Sequence, residues 1–84
     1  MVTREAIEQA VGEAVLHYAK NKKALAPDTR FKDAGFDSLS IIEVVMMVED
    51  ILGIDLDEDV YGDWTMATTI QQAVDAVAAE VIAF

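Results

Sequence analysis

Apolar residues recur at helical spacing in three long segments of this chain. In the first, Ile7, Ala10, Val11, Ala14, Val15 and Tyr18 form one stripe behind Thr3, a plausible cap, with Glu5 and Glu8 near the positive end. The spacing predicts a helix over residues 3–19. Lys20, Asn21, Lys22 and Lys23 close it, and a long polar connection follows, punctuated by Pro27, with Phe31 and Phe36 placed to pin it to a core. Beyond Gly35 the run 39–52 is helical and strongly apolar, and its core stripe is Ile41, Val44, Val45, Val48, Ile51 and Leu52. Residues 57–63 predict a short acidic helix weakened by Gly62, with Tyr61, Trp64 and Met66 as apolar anchors. A last helix is predicted over 69–82, on the stripe Ile70, Ala73, Val74, Val77, Ala78 and Val81, opened by Thr69 and Gln72 at the spacing of a capping box. No β-type alternation of useful length competes. The fold class is therefore all-α, a small antiparallel four-helix bundle of three longer helices and one short one.

The middle segment carries more apolar surface than one core contact needs. A second stripe, Leu39, Ile42 and Met46, follows i, i+3, i+7 on a neighbouring face and is flanked by Glu43, Glu49 and Asp50. Either this helix is buried almost all round, or the stripe is a docking surface. Apolar centres rimmed by acids, with adaptable methionines, suit partners with basic rims.

Length and composition narrow the classes. At 84 residues and 54% hydrophobic, residues 1–84 make one domain, which buries roughly 60% of its unfolded surface. There is no cysteine, which excludes disulfides, zinc–thiolate sites and cysteine nucleophiles. The N-terminus lacks the order of a signal peptide and charges interrupt every apolar run, so no membrane association and a cytoplasmic location are expected. Sixteen acidic against six basic residues give a net charge of −10, which speaks against nucleic acid and for basic protein partners, unless the acidity only maintains solubility. Lys20, Lys22, Lys23, Arg30 and Lys32 all fall in the first connection, and no Lys or Arg follows Lys32.

Several candidate sites carry little. His17 is the single histidine, beside Tyr18 near a helix end, and reads as a surface residue. Asp55, Asp57 and Asp59 have the opening spacing of a calcium loop, but Val60 replaces its glycine and Met66 its final glutamate, so no metal site is expected. The glycines that a hydrolase nucleophile elbow needs two positions either side of its serine are missing around Ser38. Catalysis by this chain alone is not expected.

Ser38 lies in a polar turn at the mouth of the middle helix. Asp37 or Ser38 serves as an N-cap on the plainest reading, and residues 40–43 offer a capping box of their own between Ser40 and Glu43. Alternatively the hydroxyl is a modification point, where an attached phosphodiester meets the positive end of the helix.

Residues 31–39 read F-x-x-x-G-F-D-S-L and residues 43–50 read E-V-V-M-M-V-E-D. With the helix order, length and acidity, this pattern resembles the acyl carrier protein family over most of the chain. The resemblance implies that Ser38 receives 4'-phosphopantetheine from coenzyme A through a phosphopantetheinyl transferase, with Asp37 helping the transferase and its metal engage. It implies a thiol arm bearing acyl thioesters and, by position, docking roles for Leu39, Ile42, Glu43, Met46, Glu49 and Asp50. The implied partners are ketosynthase, acyltransferase and other acyl-processing enzymes of fatty-acid or polyketide-type biosynthesis, visited by a monomer. An aminoacyl or peptidyl carrier of a non-ribosomal peptide-type pathway is the alternative, and an unmodified interaction module is another. Two positions depart from the fatty-acid pattern: Ser40 stands where many such carriers place an acid, and residues 59–66 look long, with Tyr61 and Trp64 added. Both point toward a specialised, polyketide-type carrier. The family also shelters cargo between helices. Here Ala10, Ala14, Ala73, Ala76 and Ala78 either leave such room or serve close helix packing.

Overall fold

The computed structural model describes residues 2–22 and 25–82, so Lys23 of the basic connection lies outside the described residues. Four helices follow one another: α1 Arg4–Tyr18, α2 Ser38–Leu52, α3 Glu58–Tyr61 and α4 Ile70–Val81. Each begins where a side chain takes up orphan backbone donors. Thr3 Oγ1 accepts from Ala6 N at 3.1 Å. Thr69 and Gln72 form the expected capping box of α4, with Thr69 Oγ1 accepting from Gln72 N at 3.1 Å and Gln72 Oε1 from Thr69 N at 2.9 Å. The predicted ends at 3 and 19, and at 69 and 82, are the caps flanking α1 and α4. α3 is shorter than its predicted span: Asp57 caps it, accepting from Asp59 N at 3.0 Å, and it stops at Gly62.

The core is made where the stripes meet. Ile7, Ala10, Val11, Ala14 and Val15 of α1 cluster with Val44, Val45 and Val48 of α2 and Ala73, Val74 and Val77 of α4. Ala10, Ala14 and Ala73 are fully buried, which brings the helix axes close, in keeping with the close-packing account of these alanines. Ile51 departs from its predicted core role and is 42% exposed. It sits on the last turn of α2 at the Met47 edge of the stripe, away from the line through Val45, Val48 and Leu52 that packs on the cluster. Tyr18, Leu52, Ile70, Ala78 and Val81 are half-buried at helix ends.

The first connection is held at both of its margins. Lys20 N and Asn21 N both donate to Ala34 O, at 3.0 and 3.1 Å, which brings the end of α1 beside the start of α2, as in an antiparallel pair. Gly35 makes this approach possible: its φ is +82°, and a Cβ there would lie 2.8 Å from Lys20 Cβ. Farther along, Phe31 N donates to Thr68 O at 3.0 Å, Lys32 N to Met66 O at 2.9 Å, Ile70 N to Thr29 O at 3.0 Å and Gln71 N to Pro27 O at 2.8 Å. These bonds stitch the connection to the segment leading into α4. The aromatic anchors follow: Phe31 stacks on Phe36 at 5.3 Å, and Trp64 lies 6.0 Å from Phe31 and 6.4 Å from Tyr61 between ring centroids.

Gly12 lies within α1 with nothing within 4 Å of the position its Cβ would take. Glycine inside a helix costs about 0.5–1 kcal/mol relative to alanine. Gly12→Ala is therefore expected to stabilise the fold by about that much, measured by urea denaturation. An unchanged or lower midpoint would contradict the open space seen at this position.

Candidate functional site

The start of α2 assigns separate tasks to Asp37, Ser38 and Ser40. Asp37 is the N-cap: its Oδ1 accepts from Ser40 N at 2.9 Å and from the Ser40 hydroxyl at 3.0 Å, and Ser40 Oγ accepts from Asp37 N at 3.4 Å. The box thus spans Asp37 and Ser40, and the alternative between Ser40 and Glu43 does not form, because Ser40 is already the third residue of the helix. Ser40 is buried at 8% exposure, so this position is occupied by capping geometry rather than by an outward acid. Since Asp37 does the capping, Ser38 is left exposed on the first helical residue, and no side-chain hydrogen bond engages its hydroxyl among the described residues.

The surroundings of Ser38 suit an anion. α2 is 15 residues long and has no acidic residue in its first turn, so the carboxylate nearest its positive end is that of the N-cap Asp37. Hydrogen bonds from the Ser40 backbone and hydroxyl, with a further contribution from the Lys20 charge, hold the Asp37 carboxyl below the usual aspartate range. A carboxyl depressed on folding stabilises the fold above its unfolded pKa of about 3.9, and that contribution is lost as pH falls through the lower folded value. The gap in melting temperature between the parent chain and Asp37→Asn is accordingly expected to narrow below about pH 4. A gap unchanged down to pH 2 would contradict the assignment.

Beside Ser38 runs a groove of about 510 Å³ whose walls include Ile42, Tyr61, Trp64 and Met66, with Glu58 on its polar side. It exists because α3 packs on α4 and leaves the adjoining side of α2 uncovered. The buried alanines of the bundle do not line it. A 4'-phosphopantetheine arm fits these surroundings: an accessible hydroxyl on the first residue of a helix to carry it, and a largely apolar groove for its length. A smaller groove of about 230 Å³, lined by Gly12, Leu25, Pro27 and Ile70 among others, shares no residue with this region.

The second stripe of α2 is a surface. Leu39 is 66% exposed, Ile42 46% and Met46 59%, which decides against a helix buried all round. Asp50 is exposed and Glu43 half-buried beside them. Glu49 is half-buried and engaged within the chain, its Oε2 accepting from Leu56 N at 2.8 Å. That bond had no signal in the sequence, whereas the box between Asp37 and Ser40 has the required i, i+3 spacing. His17 is exposed, edge-on to Tyr18 at 4.7 Å. Among the described residues no group of three His, Asp or Glu side chains is placed to hold a metal ion, and Asp57 is used as the cap of α3. No helix among them is long and apolar enough to cross a membrane.

A family model described as a phosphopantetheine attachment site matches residues 5–77, which defines the class: a domain that bears this prosthetic group. Similar curated proteins include acyl carrier protein 1, chloroplastic, of Spinacia oleracea, 38% identical over 71 residues that cover 77% of this chain and 49% of that protein. Acyl carrier protein 2, chloroplastic, of the same plant is 36% identical over 66 residues, covering 71% and 48%. The acyl carrier protein of Trieres chinensis is 33% identical over 72 residues, covering 86% and 85%. The chain belongs to the acyl carrier protein family, a class of non-catalytic carriers. It spans about half the length of the two spinach relatives.

Proposed function

We propose that residues 1–84 form one carrier domain that holds acyl intermediates as thioesters on 4'-phosphopantetheine attached at Ser38. The observation that carries the reading is the division of labour at the start of α2. Asp37 takes the capping role, and so the Ser38 hydroxyl stays exposed and without a side-chain partner. In the loading reaction the Ser38 oxygen bonds to the phosphorus of coenzyme A that bears the pantetheine. The bond from that phosphorus to the adenosine bisphosphate moiety breaks, and the hydroxyl proton leaves to a base of the transferase. When bound, the arm supplies the thiol that this cysteine-free chain lacks. Asp37, ionised at neutral pH, is the acid nearest in sequence for the transferase and its metal to engage.

Docking falls to the exposed stripe Leu39, Ile42 and Met46 with the neighbouring acids Glu43 and Asp50, facing a transferase, ketosynthase or acyltransferase through basic surfaces. The acidity of this face favours acyl over aminoacyl cargo, and its net charge argues against nucleic acid or an anionic membrane as a partner. A monomer in an aqueous compartment such as the cytoplasm fits the same charge. Tyr61 and Trp64, which wall the groove beside Ser38, support a polyketide-type pathway over ordinary fatty-acid synthesis. Profiling the acyl groups on protein isolated from its own cells tests this: ordinary saturated intermediates would refute the pathway, and amino acids loaded by an adenylating enzyme would refute acyl cargo.

Glu43→Lys is expected to weaken transferase docking several-fold while altering stability by no more than about 0.5 kcal/mol. Titration calorimetry beside thermal melting separates the two, and unchanged docking with a collapsed melt would contradict the docking role.

A further inference from the structure

We propose that the thioether of Met46 is an oxidation site, at which a hydroperoxide turns one member of the docking stripe of α2 into a polar sulfoxide and so frees the carrier from its partners. This control acts on the docking role given above to the stripe, and rests on it.

The chain has four methionines, Met1, Met46, Met47 and Met66, and no cysteine competes with them for oxidant. Met1 lies outside the described residues, and the other three differ in environment. Met47 and Met66 are half-buried and pack against the hydrophobic core. Met46, turned about 100° from Met47 around the helix, is 59% exposed and takes no part in that core. A peroxide dissolved in water therefore reaches its sulfur without any opening of the fold. A sulfur lone pair attacks one peroxide oxygen, the S–O bond forms and the O–O bond breaks. Sulfur gives up two electrons, and the departing hydroxide takes the proton of the transferred oxygen and leaves as water. Enzymatic reduction of the sulfoxide restores the thioether, so the change is reversible.

Position gives the change its effect. Ile42 lies one turn before Met46 and Leu39 about two turns before it, on the same exposed side of α2. Glu43 and Asp50, three residues before Met46 and four after, are its neighbours along the helix surface. A thioether is apolar and adaptable, which suits burial against more than one partner. A sulfoxide carries a dipolar S–O group whose oxygen must find a donor when it is buried. No Lys or Arg follows Lys32, so α2 supplies no side-chain cation to that oxygen, and the basic rim of a partner is directed to Glu43 and Asp50. Oxidation thus spoils the apolar contact and leaves the charge of the face as it was. Charge governs how fast partners meet, whereas the apolar contact governs how long they stay, so the sulfoxide form should dissociate faster and associate as before.

The test treats the full chain, free of phosphopantetheine, with dilute hydrogen peroxide, removes the peroxide with catalase, and combines peptide mass mapping with binding kinetics. The binding partner is an immobilised phosphopantetheinyl transferase without coenzyme A. Sulfoxide is expected at Met46 at least about fivefold faster than at Met47 or Met66, in line with exposure. The oxidised chain should leave the transferase about tenfold faster, with its association rate within about twofold of the untreated chain and its melting temperature unchanged. Met46→Leu keeps Met47 and Met66 but has no sulfur at position 46, so its dissociation rate should be the same before and after peroxide. Three results would each overturn the oxidation site and leave docking by the stripe standing: first oxidation at Met47 or Met66, an unaltered dissociation rate with Met46 oxidised, or a peroxide response that persists in Met46→Leu. Met46→Ala separates the two readings, because it too should dissociate faster. Transferase binding indifferent to Met46→Ala would strike the docking role of Met46 and this control with it, whereas the order of oxidation among the methionines is judged without any partner.

Discussion

Ser38→Ala gains no mass when incubated with coenzyme A and a broad-specificity phosphopantetheinyl transferase, while the parent chain gains one phosphopantetheine. The difference is expected to be complete, because no other residue offers an exposed hydroxyl on the first position of α2. Ser40, two residues on, is buried and its hydroxyl is committed to Asp37. The variant should also remain folded, since Ser38 contributes no cap and no side-chain hydrogen bond. A surface change of this kind alters stability by about 0.5 kcal/mol or less. Ser40→Ala is the informative contrast: it removes one partner of the capping box and is expected to lower the melting temperature while leaving the attachment hydroxyl in place. Modification of Ser38→Ala at another residue would end the assignment, and so would a parent chain that stays bare with a transferase active on other carriers.

The largest loss of stability is expected from Phe31→Ala. Phe31 is fully buried, stacked on Phe36 and in contact with Trp64, in a connection that has no regular secondary structure to hold it otherwise. Truncating a buried phenylalanine costs about 3–5 kcal/mol, the lost transfer free energy plus the cavity left behind. Domains have about 5–15 kcal/mol in total, and one of 84 residues sits toward the lower end, so this single change removes much of the margin. Loading at Ser38 is expected to fall with it at physiological temperature and to recover on cooling, because the change unseats the loop before Asp37 and leaves the hydroxyl itself intact. Chemical denaturation of parent and variant checks the figure. A loss below about 1 kcal/mol would mean that the connection is held by its backbone bonds rather than by this ring.

The helices were legible because each long one repeats its apolar residues at helical spacing behind a cap that competes for backbone donors. The stripes of α1 and α4, the caps Thr3 and Thr69, and the pinning role of Phe31 and Phe36 follow from spacing and residue type alone. The exposed face of α2 was legible as surplus apolar surface, although only the packing decided that it is not buried. Ile51 was misread because it lies at the margin of the stripe, and spacing does not say how far around α2 the neighbouring elements wrap; Leu52, one residue farther on, still packs against the core. The cap at Asp37 was one of several overlapping candidates, and local sequence cannot rank boxes that share a residue, as the Asp37 and Ser40 alternatives do. The bond from Leu56 N–H to Glu49 had no signal, since it depends on the path of an irregular connector. The hydroxyl of Ser38 stood out through its motif, and its accessibility became explicable once Asp37 was seen to hold Ser40.

The hydrogen bonds that join Pro27, Thr29, Phe31 and Lys32 to the stretch from Met66 to Gln71 link positions some forty residues apart. Helical bundles built from neighbouring turns assemble quickly because few of their contacts demand distant loop closure. Here the approach to Ser38 takes its backbone partners from residues 66–71, a distant segment. A ribosome-bound fragment ending before Met66 lacks those donors and acceptors, so the attachment loop is expected to acquire its native form only once residues 66–71 have emerged.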